Sequence, residues 1–276
     1  MHPNLLALGA IALWASLAAL GVSLAQVPPF LLTGLALVIG SVPAWSRWRE
    51  WRVGPWVLAL GVYALFGFHF LLFIALRHAP PVEANLVNYL WPLLIVVMAP
   101  LWLPGVRLKA VHLLAGAIGF AGAGLAILGG RSFGGLAWGY LPALGSAFIW
   151  ASYSLATRRL AERGEGFPTA AIGLFGLVSG VLSLACHVLL EPSFTLAGRD
   201  LALIAAMGLG PLGAAFFLWD RALKAGDPRT IGVLSYLTPL GSTALLALVT
   251  GRTLTPQLGI AALMVIGAAF LAMRAK

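Results

Sequence analysis

A run of about 20 apolar residues is matched to the hydrocarbon thickness of a bilayer, where only helices and closed barrels satisfy their own backbone polar groups. This sequence contains ten such runs, at 4–24, 28–46, 55–76, 81–102, 109–129, 135–157, 168–190, 200–221, 228–250 and 256–273, separated by short polar or Pro/Gly breaks. The chain therefore reads as an all-α integral membrane protein with ten transmembrane helices. Composition agrees: 61% of the 276 residues are hydrophobic and 9% are charged, outside soluble-domain usage. Loops this short leave no soluble domain to carry separate chemistry. The first run ends at Ser23-Leu24-Ala25, which resembles a cleavage site, but it lacks a basic flank and reads as a retained helix.

The excess of 17 Lys and Arg over 8 Asp and Glu would suggest nucleic acid for a soluble protein. Here the basic residues lie at the ends of the runs, where they set orientation and meet anionic head groups, so the expected surroundings are a lipid bilayer and no nucleic acid. With the N-terminus in the cytoplasm, Arg47, Arg49, Arg52, Arg107, Lys109, Arg158, Arg159, Arg163, Arg221, Lys224, Arg229, Arg274 and Lys276 fall inside, against Arg77, Arg131, Arg199 and Arg252 outside. That asymmetry places both termini in the cytoplasm. The only cysteine, Cys186, excludes an internal disulfide and a Cys-based metal site.

Shifting the chain by 147 residues lays Phe70–Leu93 on Phe217–Leu240, with nine of 24 pairs identical. Leucine richness does not produce the recurrence of Pro81/Pro228, Tyr89/Tyr236 and Pro92/Pro239 in register. Trp14-Ala15-Ser16 recurs as Trp150-Ala151-Ser152. The expectation is two five-helix repeats, 1–131 and 132–276. Because five is odd, the second repeat is inverted relative to the first, an arrangement used by transporters with a central midplane cavity.

Asn85, Asn88, Tyr89 and Pro92 fall within an arc of about 100° on an ideal helix, and Gly232, Ser235, Tyr236 and Pro239 occupy the same arc in the repeat. A mid-span proline removes the hydrogen bond to the carbonyl four residues earlier and kinks the helix, so Pro92 and Pro239 are candidate hinges and the Asn88 and Ser235 carbonyls are expected to be free. Trp14 and Trp150 lie deep at matching places, and with Tyr89, Tyr153, Tyr236 and the flanking Trp91 they are candidates to wall the cavity. Asn and Ser in such positions also serve as interhelical glue. His69 is a titratable group well inside a span and so a functional candidate; a hydrogen-bonded core histidine explains it equally. Glu83 and Asp227 suit helix N-termini. Trp45, Trp48, Trp51 and Trp56 suit the membrane interface, and Ala115, Gly119 and Ala123 a close-packing helix face.

No span carries a phosphate-binding glycine loop, a metal-binding histidine pair or two facing carboxylates, so neither cofactor nor metal is expected, and ATP-driven pumping by this chain alone is excluded. On the Asn88-Tyr89-Leu90-Trp91-Pro92 string, the Pro-then-Tyr-x-x-Pro pattern of both halves and the Trp-Ala-Ser repeat, the chain resembles the drug/metabolite transporter superfamily, its ten-helix EamA-type permeases, and most closely the bacterial aromatic amino acid exporters. The resemblance implies a bacterial inner-membrane exporter whose cavity is lined by the first, third, fourth, sixth, eighth and ninth helices. Small four-helix relatives couple protons through a carboxylate in their first helix; residues 4–24 contain none. The expected cargo is an amino acid, aromatic or otherwise neutral, handled by a monomer through alternating access. Other small metabolites, lipophilic drugs, and an embedded enzyme using His69 are the alternatives.

Overall fold

The computed structural model describes residues 2–129, 134–251 and 255–274. Among them all regular structure is helical. In chain order the long helical segments are α1 Pro3–Ser23, α2 Pro29–Trp51, α3 Pro55–His78, α4 Pro81–Trp102, α5 Ala110–Leu128, α6 Tyr140–Glu162, α7 Ala171–Leu190, α8 Gly198–Ala225, α9 Pro228–Thr250 and α10 Pro256–Arg274. All but α6 are long and apolar enough to cross a membrane, nine candidate spans among the described residues. Helix α6 has the length, but Ser146, Ser152, Tyr153, Ser154 and Thr157 dilute its apolarity, and all five are buried. It starts five residues later than the sixth apolar run. Residues 134–139 instead form a loop in which Gly139 lies against the backbone of His78 and Ala75, too close for a Cβ.

The outward faces carry Leu101, Val188, Leu189, Leu248 and Leu263, each more than two-thirds exposed. A soluble surface rarely presents such a continuous apolar coat, and together with the spans it defines a multi-pass membrane protein. Trp45, Trp48 and Trp56 are exposed near the α2–α3 connection, as their interface reading requires, while Trp51 is partly covered.

The helices interleave. Helix α2 packs along α7, α5 along α10, α1 against α8 and the second part of α9, and α6 against α3 and α4. Each pairing has its counterpart when α1–α5 are exchanged for α6–α10. Backbones meet where glycine permits: a Cβ on Gly40 would lie 2.7 Å from the carbonyl oxygens of Gly208 and Leu212, and one on Gly34 would lie 3.1 Å from that of Gly180. The small face of α5 packs as expected, Gly119 under the ring of Tyr236 and Gly122 against Val265.

Polar cross-links gather at the two ends of the bundle. At one, the buried Glu191 carboxylate accepts from the Phe30 and Leu31 amides at the start of α2 (3.0 and 3.3 Å) and pairs with His187 and Arg77. Gln26 bonds Asp200 there at 3.0 Å. Glu83 stands in the first turn of α4, as expected, but makes no hydrogen bond within that turn. Its carboxylate instead accepts from the Gly134 amide at 3.0 Å and the Tyr140 hydroxyl at 2.5 Å, tying the start of α4 to the approach to α6. At the other end Asp227 caps α9 through the Arg229 amide (2.9 Å), Arg229 reaches the Arg107 carbonyl (2.7 Å), and Arg158 reaches the Lys224 carbonyl (2.9 Å). The boundary between residues 131 and 132, with Arg131, Arg252 and Lys276, lies outside the described residues.

Gly40→Ala forces apart backbones that have no flexible atom to yield, an overpacking cost of about 1–3 kcal/mol. Thermal unfolding in detergent is expected to show a lower Tm for Gly40→Ala and none for Gly259→Ala, where an added Cβ meets nothing within 4 Å.

Candidate functional site

The regular helix is interrupted at matching places in the two halves. In α4, Pro81–Asn88 stops and Trp91–Trp102 begins; in α9, Pro228–Leu234 stops and Leu237–Thr250 begins. Pro92 falls in the first turn of its new segment, where a missing N–H costs no hydrogen bond and φ is already suitable. The third helices carry the second matched feature. Five-residue π-helical segments occupy Tyr63–Gly67 in α3 and Gly210–Ala214 in α8, at the same offset of 147 that the sequence repeat uses. Segments of this kind are frequent at functional positions.

One expectation about these breaks fails. The Ser235 carbonyl is not free, because the chain tightens there and the Thr238 amide donates to it at 2.9 Å. The Ser235 hydroxyl turns back to the Ile231 carbonyl of its own helix at 2.9 Å.

At the centre, side chains from α1, α4, α6 and α8 form one aromatic cluster. The ring of Trp14 lies 5.8 Å from Trp150, 5.1 Å from Trp219, 6.1 Å from Phe216 and 6.4 Å from Trp91. Trp91 meets Trp219 edge-on at 5.6 Å, and Tyr153 and Phe216 each lie 5.6 Å from Trp150. All six are buried. Each off-centre or edge-to-face pair contributes about 0.5–1.5 kcal/mol beyond burial. Two tethers fix the cluster to the π segments. The Trp14 indole N–H donates to the Pro211 carbonyl at 3.0 Å, and the Tyr63 and Ser152 hydroxyls lie 2.9 Å apart. In both, the helix bearing the Trp-Ala-Ser motif in one half is joined to the third helix of the other.

Of the residues singled out from sequence, Trp14, Trp91, Trp150 and Tyr153 come together here. Asn88 is buried and its amide oxygen accepts from Ser146 Oγ at 2.8 Å, an α4–α6 link, while Asn85 and Tyr89 are half-buried beside it. Tyr236 goes elsewhere: fully buried, it stacks edge-on with Phe120 at 6.3 Å on the side of α5 and α10. His69 is half-buried, with Nδ1 2.6 Å from the Leu65 carbonyl in the π segment of α3. It thus serves a backbone group of an irregular turn.

The sequence reading did not select Phe216, Trp219 or Asp220. The offset of 147 sets Phe216, Trp219 and Asp220 opposite His69, Leu72 and Phe73, so the repeat did not mark them. The available signal was the i, i+4 pair Asp220/Lys224 at the end of an apolar span. Asp220 is 1% exposed, with Oδ2 2.7 Å from Lys224 Nζ and 2.6 Å from Thr169 Oγ1. Among the described residues no group of three metal-ligating side chains assembles.

An apolar multi-helix bundle with paired broken helices around buried aromatics defines a membrane transporter. The chain belongs to the EamA-like transporter family, whose model matches it twice, over residues 2–128 and 137–274. It is a transporter and not an enzyme. The chain is 41% identical to the aromatic amino acid exporter YddG of Ancylobacter novellus, over 98% of this chain and 96% of that one. It is 29% identical to the protein of the same name from Escherichia coli, over 71% of this chain and 68% of that one, and 31% identical to that of Salmonella typhimurium, over 66% and 63%. A solved crystal structure superimposes with a TM-score of 0.91 at 39% identity, covering 98% of this chain and 96% of its own.

Trp14→Phe keeps a ring in the cluster but deletes the bond to Pro211 and the three further ring atoms of the indole, so a loss of about 1–3 kcal/mol is expected. Trp14→Ala leaves a gap among four rings and is expected to cost about 3–5 kcal/mol. Equilibrium unfolding in mixed micelles orders the two; equal losses would show that the cluster does not hold the bundle.

Proposed function

We propose that this protein exports amino acids, aromatic and other neutral ones, across the bacterial inner membrane by alternating access. The observation that carries the proposal is the convergence of four buried tryptophans from α1, α4, α6 and α8, two of them on helices, α4 and α8, that are broken or π-distorted where the other half is interrupted too. Irregular backbone inside a bilayer is tolerated only where protein or a water-lined cavity surrounds it. Paired interruptions in the two halves of a transporter mark the substrate site.

The exporter relatives named above support the cargo. So does the chemistry of the central rings. An aromatic side chain packs on Trp and Tyr faces, and an ammonium gains about 2 kcal/mol or more from such a face when desolvated. The half-buried Asn85 and Tyr89 at the α4 break, with the buried Asn88 beside them, would read the polar end of the cargo. Tyr236, on the α5/α10 side, serves the moving scaffold through Gly119 instead, with Pro92 and Pro239 starting the second segments of the two broken helices.

In this reading α6 is the tenth crossing, and residues 1–131 and 132–276 are inverted repeats. The end of the bundle that holds Arg107, Arg158, Lys224 and Arg229 faces the cytoplasm with both termini. The interleaved pairing of α1 with α8 and α3 with α6 supports this arrangement, as does the link from Glu83 to Tyr140, which sets the start of α6 beside that of α4. One chain supplies both halves of the site, so a monomer suffices.

Reconstituted into liposomes, the protein is expected to carry phenylalanine, tryptophan or leucine well above empty vesicles; absence of flux for every amino acid tried refutes the cargo. Trp150→Leu and Tyr89→Ala are expected to cut phenylalanine flux at least about tenfold, equivalent to roughly 1.4 kcal/mol, while inserting normally. Flux of lipophilic cations undiminished by excess phenylalanine would favour the drug-export alternative.

A further inference from the structure

Asp220 is a buried acid in the eighth helix and has no counterpart in the first repeat, where Phe73 stands at the matching position. Its two oxygens differ. Oδ2 is held by Lys224 Nζ at 2.7 Å and Thr169 Oγ1 at 2.6 Å. Oδ1 is buried and has no hydrogen-bond partner among the described residues. Leaving a buried carboxylate oxygen unmatched is costly, and the cost is relieved by an N–H donor or a cation.

The surroundings identify which donor fits. Asp220 follows Trp219, a member of the central cluster, whose ring stacks 6.4 Å from that of Trp150, the neighbour of Tyr153. The hydroxyl of Thr157, one turn further along α6, is also buried. The charged groups near the carboxylate are Lys224 and Arg221, both on α8 itself. From the chain leading into α7 come the Thr169 hydroxyl and the Phe167 carbonyl and ring; the carbonyl accepts from Lys224 Nζ at 2.7 Å, and Nζ lies 4.0 Å from the ring centroid. From α6, Arg158 is spent on the Lys224 carbonyl and on Glu162.

Asp220 and Lys224 thus form a neutral pair of opposite charges beside aromatic faces. A zwitterion brings the same two charges and adds no net charge to the interior. A lone amine or a lone carboxylate would add one, which a low-dielectric site disfavours.

We propose that Asp220 anchors the ammonium group of the transported amino acid on Oδ1, with Lys224 as the counter-charge to the substrate carboxylate, so that the pair selects zwitterions. This rests on the amino acid reading given above. It assigns to α8 a substrate contact that the symmetric features of the fold do not contain.

Calorimetric binding to protein in nanodiscs tests it with three compounds that share a benzyl group: phenylalanine, 2-phenylethylamine and 3-phenylpropionate. The unmodified protein is expected to prefer phenylalanine to both others by about tenfold or more. Asp220→Asn removes the anion and leaves Lys224 uncompensated. It is expected to lose phenylalanine and phenylethylamine about tenfold or more while 3-phenylpropionate holds or improves. Lys224→Gln is expected to shift preference the opposite way, toward phenylethylamine, and carries the test alone if Asp220→Asn cannot be recovered folded. A variant that weakens all three compounds equally, or leaves their ratios unchanged, makes Asp220–Lys224 a structural ion pair and overturns the proposal. Failure of the unmodified protein to bind phenylalanine at all would overturn the cargo reading instead.

Discussion

Everything irregular in this bundle answers to one constraint: in hydrocarbon there is no water to satisfy a backbone group that its own helix has released. Each departure from regular α-helix therefore needs a partner from protein. Trp14 supplies one for the Pro211 carbonyl in the π segment of α8, and His69 supplies one for Leu65 in that of α3. At the short interruption in α1, the Ser16 hydroxyl and amide both turn to the Leu13 carbonyl, at 2.7 and 3.1 Å. In α9 the Thr238 amide takes up Ser235. The groups that allow the backbone to deviate also bind the halves together, because the Trp14 and Ser152 links cross from one repeat to the other.

That coupling connects packing to motion. Glycine contacts such as Gly40 on Gly208 hold α2 and α8 rigidly, and Gly34 on Gly180 does the same for α2 and α7. The broken and π-helical segments are where the remaining helices can bend without leaving a carbonyl unpaired. Because each of these rigid pairs joins one repeat to the other, the alternating access proposed above would move helix groups drawn from both repeats about the paired joints. The polar clusters at the two ends, Glu191 with His187 and Arg77, and Asp227 with Arg229 and the Arg107 carbonyl, tie helix termini together on either side of the aromatic centre.

The helical class and nine of the ten expected spans were legible in the sequence because hydrophobic run length is a direct reading of bilayer thickness, and the family through the Asn88-Tyr89-Leu90-Trp91-Pro92 string and the repeat. Trp14, Trp91 and Trp150 were legible as deep aromatics, and the repeat pointed to the broken helices through Pro92 and Pro239. Repeat logic failed where the site is asymmetric. It paired Tyr89 with Tyr236, but the glycine face of α5 admits the ring of Tyr236 and carries it away from the tryptophans. It gave no weight to Trp219 or Asp220, which have only Leu72 and Phe73 opposite them. Glu83 stands in the first turn of its helix as expected, where an acid complements the dipole; its bonds to the loop before Tyr140, distant in sequence, were beyond local logic. The Ser235 carbonyl was misread because a proline's missing bond was counted without the tighter turn that replaces it.

In the proposed transport cycle, helix groups drawn from both repeats move as units about the aromatic cluster when cargo binds. The lone native cysteine makes a cysteine-free background simple, with Cys186→Ser. Spin labels can then be placed at exposed positions on both ends, Pro80 with Ser193 and Pro104 with Arg163. Pulsed electron–electron resonance in liposomes measures both separations with and without saturating phenylalanine. The account predicts that the two change in opposite senses on adding phenylalanine, one end narrowing as the other widens. Identical distance distributions at both ends in the two conditions, in protein that carries phenylalanine flux, would contradict it.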